Sequence, residues 1–176
     1  MAGDFIVREA EPRDANALVE LANAVGSEPE GWLITTTNWR SAADERRYLR
    51  SIRRYEHAAV LVAEDEGGVI GRLSIGRDPH PASAHVADLG LMVAKEHRRR
   101  GVGWALLEGA VGWARAVGVR KIELHVFPHN TAAIAMYERF GFVREGYRKA
   151  HYRRPDGYVD AILMAYELTE EEESWR

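Results

Sequence analysis

The stretch that most constrains how this chain can fold is an apolar run followed by three arginines, two glycines and a helical pattern. The run, Leu89-Gly90-Leu91-Met92-Val93, has the length and apolar content of a buried strand. The basic stretch is Arg98-Arg99-Arg100-Gly101-Val102-Gly103. Beyond it, apolar residues recur at helical spacing, at Val102, Leu106, Ala110, Trp113 and Val117. The sequence therefore predicts a strand-to-helix junction made of arginines and glycines.

Such a junction is chemically suited to an anion. The first turn of a helix leaves four backbone N–H groups unpaired and carries about half a positive charge. Gly101 and Gly103 have no Cβ, so a large anionic group can approach the main chain, and the arginines add positive charge around it. We interpret the junction as a diphosphate cradle. A solvated basic turn after a strand is the alternative that these residues alone leave open.

Two motifs in this part of the chain resemble a known superfamily. The pattern Arg98-x-x-Gly101-x-Gly103 resembles the acyl-CoA signature of the Gcn5-related N-acetyltransferase (GNAT) superfamily. Downstream, Asn130 is followed seven residues later by Tyr137 and then by Gly141-Phe142, which resembles the second signature of that superfamily. The resemblance covers residues 85–168 at the level of motifs and residues 6–168 in the order of elements.

The resemblance implies an α+β acyl-CoA N-acyltransferase fold, with a mixed sheet of about seven strands, a splayed centre and about four flanking helices. The element pattern agrees, since three consecutive strand-like segments precede the junction without helices between them, unlike the alternation of a dinucleotide-binding fold. We expect a single domain over residues 1–168 and an acidic tail over residues 169–176.

By resemblance, the cofactor-binding residues form three groups. They are Leu91, Met92 and Val93 on the strand, Arg98, Arg99, Arg100, Gly101, Val102, Gly103 and Trp104 at the junction, and Asn130 beyond it. Tyr137 is the expected general acid, because a phenol with an ordinary pKa near 10 is protonated at neutral pH and can protonate a departing thiolate. Packing alone could also explain Tyr137, and helix capping could also explain Asn130.

The general base is a separate hypothesis. Many relatives carry a glutamate five residues before the motif asparagine, and His125 occupies that position here. An imidazole with an ordinary pKa near 6.5 suits removal of a proton from an ammonium. A partly buried structural histidine is the alternative interpretation, and Asp88 and His85 are reserve candidates for the base.

Composition excludes several other chemistries. The chain has no cysteine, which rules out disulfides and cysteine nucleophiles, and it fits a reducing cytoplasm. We expect no metal. A net charge of −3, from 27 acidic and 24 basic residues, gives no global attraction to nucleic acid. There is no apolar run of about 18 residues that would indicate a membrane span, and no secretory signal is evident.

The predicted function is transfer of the acetyl group of acetyl-CoA to a primary amine by direct attack in a ternary complex. The acceptor is an amino acid, a small amine or a protein N-terminus, and a homodimer is possible. We expect the loop over residues 27–41 and the turn over residues 152–160, with Arg153 and Arg154, to shape the acceptor side. The alternative functions are a non-catalytic acyl-CoA sensor and an RNA- or ribosome-associated module that uses the arginine clusters. Dinucleotide binding is disfavoured because Leu106 stands at the third glycine position of that motif.

Overall fold

The computed structural model describes residues 5–34 and 39–168, which form seven strands and four α-helices. The strands are β1 (Phe5–Glu9), β2 (Ala58–Asp65), β3 (Gly68–Arg77), β4 (Val86–Val93), β5 (Lys121–Val126), β6 (Val143–Arg154) and β7 (Gly157–Glu167). The helices are α1 (Ala15–Gly26), α2 (Ala42–Ile52), α3 (Val102–Ala116) and α4 (Thr131–Phe140). The expected acidic tail over residues 169–176 lies outside the described residues.

All seven strands belong to one sheet in the order β1-β2-β3-β4-β5-β7-β6. Every neighbouring pair is antiparallel except β4 and β5, which are parallel. Residues 86–88 of β4 pair with residues 121–123 of β5, and no further pair forms between these two strands. The predicted mixed sheet with a splayed centre is therefore confirmed.

The ends of the two helices that follow the splayed strands are set by local sequence. Gly101 is the N-cap of α3, and Gly118, with a φ of +78°, follows its C-terminal end. Asn130 caps α4, since its Oδ1 accepts a hydrogen bond from the Ala133 amide at 3.2 Å. Gly141, with a φ of +118°, ends α4. The start of α3 at the arginine and glycine junction agrees with the sequence-based prediction, and the other three positions follow the usual preferences for asparagine caps and glycine ends.

The two faces of the sheet are covered to different extents. Alternate β4 residues point to opposite faces, so Leu89 packs in the large core with α3 while Met92 packs with Leu21 and Val25 of α1. The large core continues across β5 and β7 under α3 and α4. On the opposite face, the buried clusters under α1 and α2 include residues of β2 and β4, and none of β5, β6 or β7. Within the described residues, this leaves an uncovered surface beside the splay.

Helix α2 differs from its prediction in its ends and in one buried charge. The sequence pattern predicts a helix over residues 44–56 with Glu45 on a solvated face. The helix instead begins at Ala42, because the Ser41 side chain caps the Asp44 amide, and it ends at Ile52. Glu45 is fully buried. Its Oε1 lies 3.2 Å from Nη2 of Arg72 on β3. Helical periodicity does not predict the burial of Glu45, because its partner Arg72 lies on a strand that only the tertiary fold brings close.

The buried ion pair generates a stability prediction. Glu45→Gln should lower the free energy of unfolding by about 3 kcal/mol, because the buried Arg72 guanidinium loses its counter-charge. Urea unfolding at neutral pH measures the change. Arg47→Gln, an exposed charge change on the same helix, should cost less than about 1 kcal/mol. The double variant Glu45→Leu with Arg72→Met should lose less free energy of unfolding than Glu45→Gln alone. Equal losses in Glu45→Gln, Arg47→Gln and the double variant would contradict the argument from burial.

Candidate active site

Gly101 begins α3 in a backbone conformation that favours glycine. Its φ is +83° and its ψ is 0°, in the left-handed region. No heavy atom other than those of its chain neighbours lies within 4 Å of the position that a Cβ on Gly101 would occupy, and the residue has no side chain to cap the helix. The first-turn amides of Val102, Gly103 and Trp104 therefore remain available to an anion.

The three arginines of the junction are engaged differently. Arg99 and Arg100 are exposed, and Arg99 has a strained φ of +61° at the bend before the helix. Arg98 donates from Nε to the Val93 carbonyl at 3.0 Å, and its two Nη atoms donate to the Glu28 carboxylate at 2.8 and 2.5 Å. The sequence predicts three guanidinium groups around one anion, whereas the structure holds that of Arg98 against protein acceptors.

Gly103 and Trp104 lie where α3 meets α4. A Cβ on Gly103 would be 2.9 Å from Met136 Sδ and 3.7 Å from Leu91 Cδ2, so glycine allows the two helices to approach closely. The Trp104 ring packs edge-on against Phe140, with ring centres 4.9 Å apart. Gly103 thus has a packing role that the motif does not reveal, and contact of these residues with a cofactor stays a prediction.

The splay between β4 and β5 opens beside this junction. Residues 89–93 of β4 remain paired to β3 on one side and have no strand partner on the side of β5. Leu91, Met92 and Val93 lie along this unpaired edge. Strand edges with free amides and carbonyls bind extended ligands through main-chain hydrogen bonds. The gap can therefore hold a linear group whose anionic end reaches the start of α3.

Tyr137 lies on α4 and is 6% exposed. Burial raises the pKa of its hydroxyl well above the ordinary value of 10, so the phenol is protonated across the neutral range. Its ring contacts Phe142, with ring centres 5.5 Å apart, and its hydroxyl has no hydrogen-bond partner among the described residues. The arrangement provides a neutral donor whose proton is not committed elsewhere.

His125 faces the uncovered surface on the other side of the sheet. Its Nδ1 lies 2.6 Å from the hydroxyl of Tyr152 on β6, and its ring meets the His151 ring edge-on, with centres 5.3 Å apart. Burial, followed by the charges of Arg148 and His151, lowers the pKa of His125 below its ordinary 6.5. The imidazole is thus mainly neutral at neutral pH.

Asp88 and Glu123 form an acidic pair on the same surface. They are register partners in the short parallel ladder between β4 and β5, and Lys121 Nζ lies 2.9 Å from Glu123 Oε1. Although Asp88 is exposed, protein atoms around it displace water. This desolvation and the charge of Glu123 raise the pKa of Asp88 from 3.8 to about 6. Sequence reasoning named Asp88 only as a reserve, because the pairing depends on the register of strands separated by α3.

The loop and the hairpin expected to shape the acceptor side are joined in the structure. Arg154, at the end of β6, donates from Nη2 to the Gly31 carbonyl at 2.9 Å and to the Leu33 carbonyl at 2.5 Å. Trp39, near the other end of the loop, packs against the cluster that contains Met92. Residues 35–38 lie outside the described residues. The described parts of this loop therefore adjoin both sides of the gap.

The described residues contain no group of three or more histidine, aspartate or glutamate side chains arranged to hold a metal ion. None of their helices combines the length and apolarity needed to cross a membrane.

Comparison with known proteins identifies the family to which this fold belongs. The model of the Acetyltransferase (GNAT) family matches residues 27–142. The chain is similar to the L-amino acid N-acetyltransferase AaaT of Escherichia coli K12, with 32% identity over 92% of this chain and 97% of that protein. It is also similar to the bS18-alanine N-acetyltransferase of Escherichia coli K12, with 38% identity over 45% of this chain and 53% of that protein.

A solved acetyltransferase of the GNAT family from Streptococcus pneumoniae has a similar fold. Its TM-score is 0.85 at 29% identity, over 93% of this chain and 99% of that one. The chain therefore belongs to the acetyltransferase (GNAT) family. The predicted α+β fold is confirmed, as is the predicted enzyme class, an acetyl-CoA-dependent N-acetyltransferase.

The raised pKa of Asp88 predicts a pH-dependent stability difference. Because folding disfavours the ionised carboxylate, wild-type stability should fall as pH rises from about 4 to about 6 through this group. Asp88→Asn removes that loss, so the variant should gain stability relative to wild type across this window and keep the gain above it. Urea unfolding at several pH values measures the difference. Asp156→Asn in the exposed β6–β7 turn is the control, and a pH-independent difference for Asp88→Asn would contradict the assignment.

Proposed function

We propose that this enzyme transfers the acetyl group of acetyl-CoA to the primary amine of a free amino acid, by direct attack in a ternary complex. The proposed acetyl-CoA site and the proposed acceptor site open on the gap between β4 and β5 from opposite faces of the sheet. The start of α3 meets the gap on one face, and Asp88, Glu123 and His125 meet it on the other. Because the chain has no cysteine, a covalent acetyl-cysteine intermediate is excluded.

One observation carries the proposal: an uncapped helix start, with open space at Gly101, lies beside an unpaired strand edge. An extended thiol ester with a diphosphate at one end requires both features.

The first-turn amides of α3, with Arg99 and Arg100, would hold the phosphates. Main-chain groups of Leu91, Met92 and Val93 would hold the arm, and an N–H among them would polarise the thioester carbonyl. Asn130, which caps α4 across the gap, would flank the arm.

When bound, acetyl-CoA supplies an activated acetyl group on a thiolate leaving group. We assign Tyr137 as the general acid that protonates this thiolate. Its pKa, raised by burial, keeps the proton on the phenol until strong negative charge develops nearby. Support comes from its place on α4, its neutral state and its hydroxyl, which has no hydrogen-bond partner among the described residues.

We assign His125 as the general base for the acceptor ammonium. In the tautomer that serves this role, Nδ1–H donates to the Tyr152 oxygen, 2.6 Å away, and Nε2 is free to accept a proton. The lowered pKa of His125 keeps the imidazole in its neutral, basic form at neutral pH. Asp88 is the second candidate for the base, since its pKa of about 6 also suits proton transfer.

The charges on the acceptor face support a zwitterionic substrate. Asp88 and Glu123 provide negative charge on β4 and β5 for an ammonium group. Arg148, on β6, is close enough to affect the pKa values of Asp88 and His125, and it would bind a carboxylate. The full-length similarity to an L-amino acid N-acetyltransferase supports the same acceptor class. Similarity to the bS18-alanine enzyme covers under half of this chain, which keeps a protein N-terminus as the second candidate.

The other functions considered from the sequence have less support. The arginine clusters of the nucleic-acid alternative lie in residues 46–54 and 98–100. Several of these arginines contact other protein groups, since Arg46 contacts Asn16, Arg53 contacts the Ala10 carbonyl and Arg98 contacts Glu28. We infer a cytoplasmic protein that works on small molecules, without nucleic acid or membrane partners. The possible homodimer remains a prediction.

Binding of acetyl-CoA tests whether the start of α3 holds the diphosphate. At 100 times its Kd, acetyl-CoA should stabilise the wild-type protein by about 2.7 kcal/mol in thermal or chemical unfolding. Gly101→Ala should weaken binding about tenfold, because alanine disfavours the left-handed backbone that exposes the first-turn amides. Gly112→Ala, in the middle of α3 where an added Cβ also meets open space, is the matched control and should bind like wild type. Equal affinities in all three proteins would refute the cradle.

The base assignment predicts a change in the pH profile. His125→Gln should lower kcat/KM by about 100-fold or more and remove the acidic limb of the profile, which in wild type should lie below pH 6.5. A screen of the twenty amino acids by release of free thiol identifies the acceptor for this assay. His57→Gln, an exposed histidine elsewhere, should leave the profile unchanged. An intact acidic limb in His125→Gln would transfer the base role to Asp88.

A further inference from the structure

The width of the gap between β4 and β5 must be set by contacts other than strand pairing. Pairing between the two strands ends at Asp88 and Glu123, the last register pair of their short ladder. Beyond this pair, no direct pairing of β4 with β5 among the described residues sets the separation of the two strand ends. The width of the gap matters, because any group bound there must meet the reacting atoms to within a fraction of an ångström. Another part of the chain must therefore fix the distance.

Residues 28–33, which we call the tie segment, run between the two strand ends. On the β4 side, the Glu28 carboxylate accepts both Nη groups of Arg98, whose Nε holds the Val93 carbonyl at the end of β4. Glu28 also accepts a hydrogen bond from Trp32 Nε1 at 2.9 Å. The Glu28 carboxylate is thus the point where the arginine and the tryptophan are joined.

On the β5 side, the tie segment meets the residues that lead into α4. The Trp32 ring stacks on His129, with ring centres 5.6 Å apart, and His129 stacks on Phe127 at the same separation. His129 Nε2 also lies 2.9 Å from the Glu30 carbonyl. These contacts anchor the segment one residue before Asn130, the cap of α4. The tie segment therefore spans both strand-to-helix junctions that border the gap.

We propose that Glu28 is a positioning residue that ties the two junctions across the gap, so that occupancy of the cradle by CoA is transmitted to the acceptor side. The proposal rests on the proposed function. Its physical basis is that Arg98 belongs to the cradle loop by sequence and to the tie segment by contact. A diphosphate bound at residues 98–104 would restrict the motion of Arg98. The contacts of Arg98 with Glu28, and of Glu28 with Trp32, would then restrict the tie segment on the acceptor side.

The competing role for Arg98 is that of a direct phosphate ligand. In that case CoA would draw its guanidinium away from Glu28, and the tie segment would loosen when CoA binds. The two roles therefore predict opposite changes in backbone protection of residues 28–33. The Val93 carbonyl contact favours the tie, because it holds the Nε side of the guanidinium against the end of β4.

Amide hydrogen exchange with and without CoA distinguishes these roles and needs no acceptor. In wild type, saturating CoA should slow exchange in residues 98–104 and, by about fivefold or more, in residues 28–33. In Glu28→Gln the slowing should persist at 98–104 and disappear at 28–33. Glu30→Gln is the matched control, since it makes the same charge change two residues away on an exposed side chain without a partner among the described residues.

A second variant guards against a folding defect in Glu28→Gln. Trp32→Phe keeps an aromatic ring for the His129 stack and removes the N–H that bonds Glu28, and it should lose the slowing at 28–33 as well. In turnover, both variants should raise the KM for the acceptor amino acid about fivefold, with CoA affinity changed less than about twofold. Two results would contradict the proposal: faster exchange of residues 28–33 when CoA binds to the wild type, or wild-type exchange and wild-type KM in both variants. Slowing at neither segment in wild type overturns the proposed function, and the tie with it.

Discussion

Hydrogen bonding between β4 and β5 stops after Asp88 and Glu123, and the proposed function depends on the gap that opens where it stops. A continuous ladder would satisfy every main-chain group and leave no room between the strands. The divergence leaves amides and carbonyls of β4 without strand partners while β3 still supports them from behind. The sheet thereby provides a rigid edge for a ligand, which a loop could provide only with greater loss of conformational entropy on binding.

The two faces of the sheet give this gap two chemically different surroundings. On one face lie the start of α3, with the exposed Arg99 and Arg100 before it, and α4, which carries the buried Tyr137. On the other face, helices α1 and α2 cover only part of the sheet and leave Asp88, Glu123 and His125 accessible from solvent. The proposed function places a donor with a diphosphate on the first face and an acceptor with an ammonium group on the second, so that the two do not compete for the same residues.

Much of this arrangement follows from local sequence. The starts of α3 and α4, at Gly101 and Asn130, and their ends, at Gly118 and Gly141, are set by residues within one turn of each helix, which is the range that sequence patterns describe. The order of strands before the junction similarly predicts an α+β sheet. Prediction failed for Glu45, which is buried against Arg72, because a helix pattern does not identify a partner on a distant strand.

The sequence by itself determined where α3 and α4 begin and which residues could meet an anion, because these features depend on neighbours along the chain. Only the tertiary structure decided that Asp88 lies beside Glu123, that Arg98 is held by Glu28, and that Gly103 is needed for contact with Met136. Each of these depends on strand register or helix approach, which long-range packing sets and local pattern does not encode.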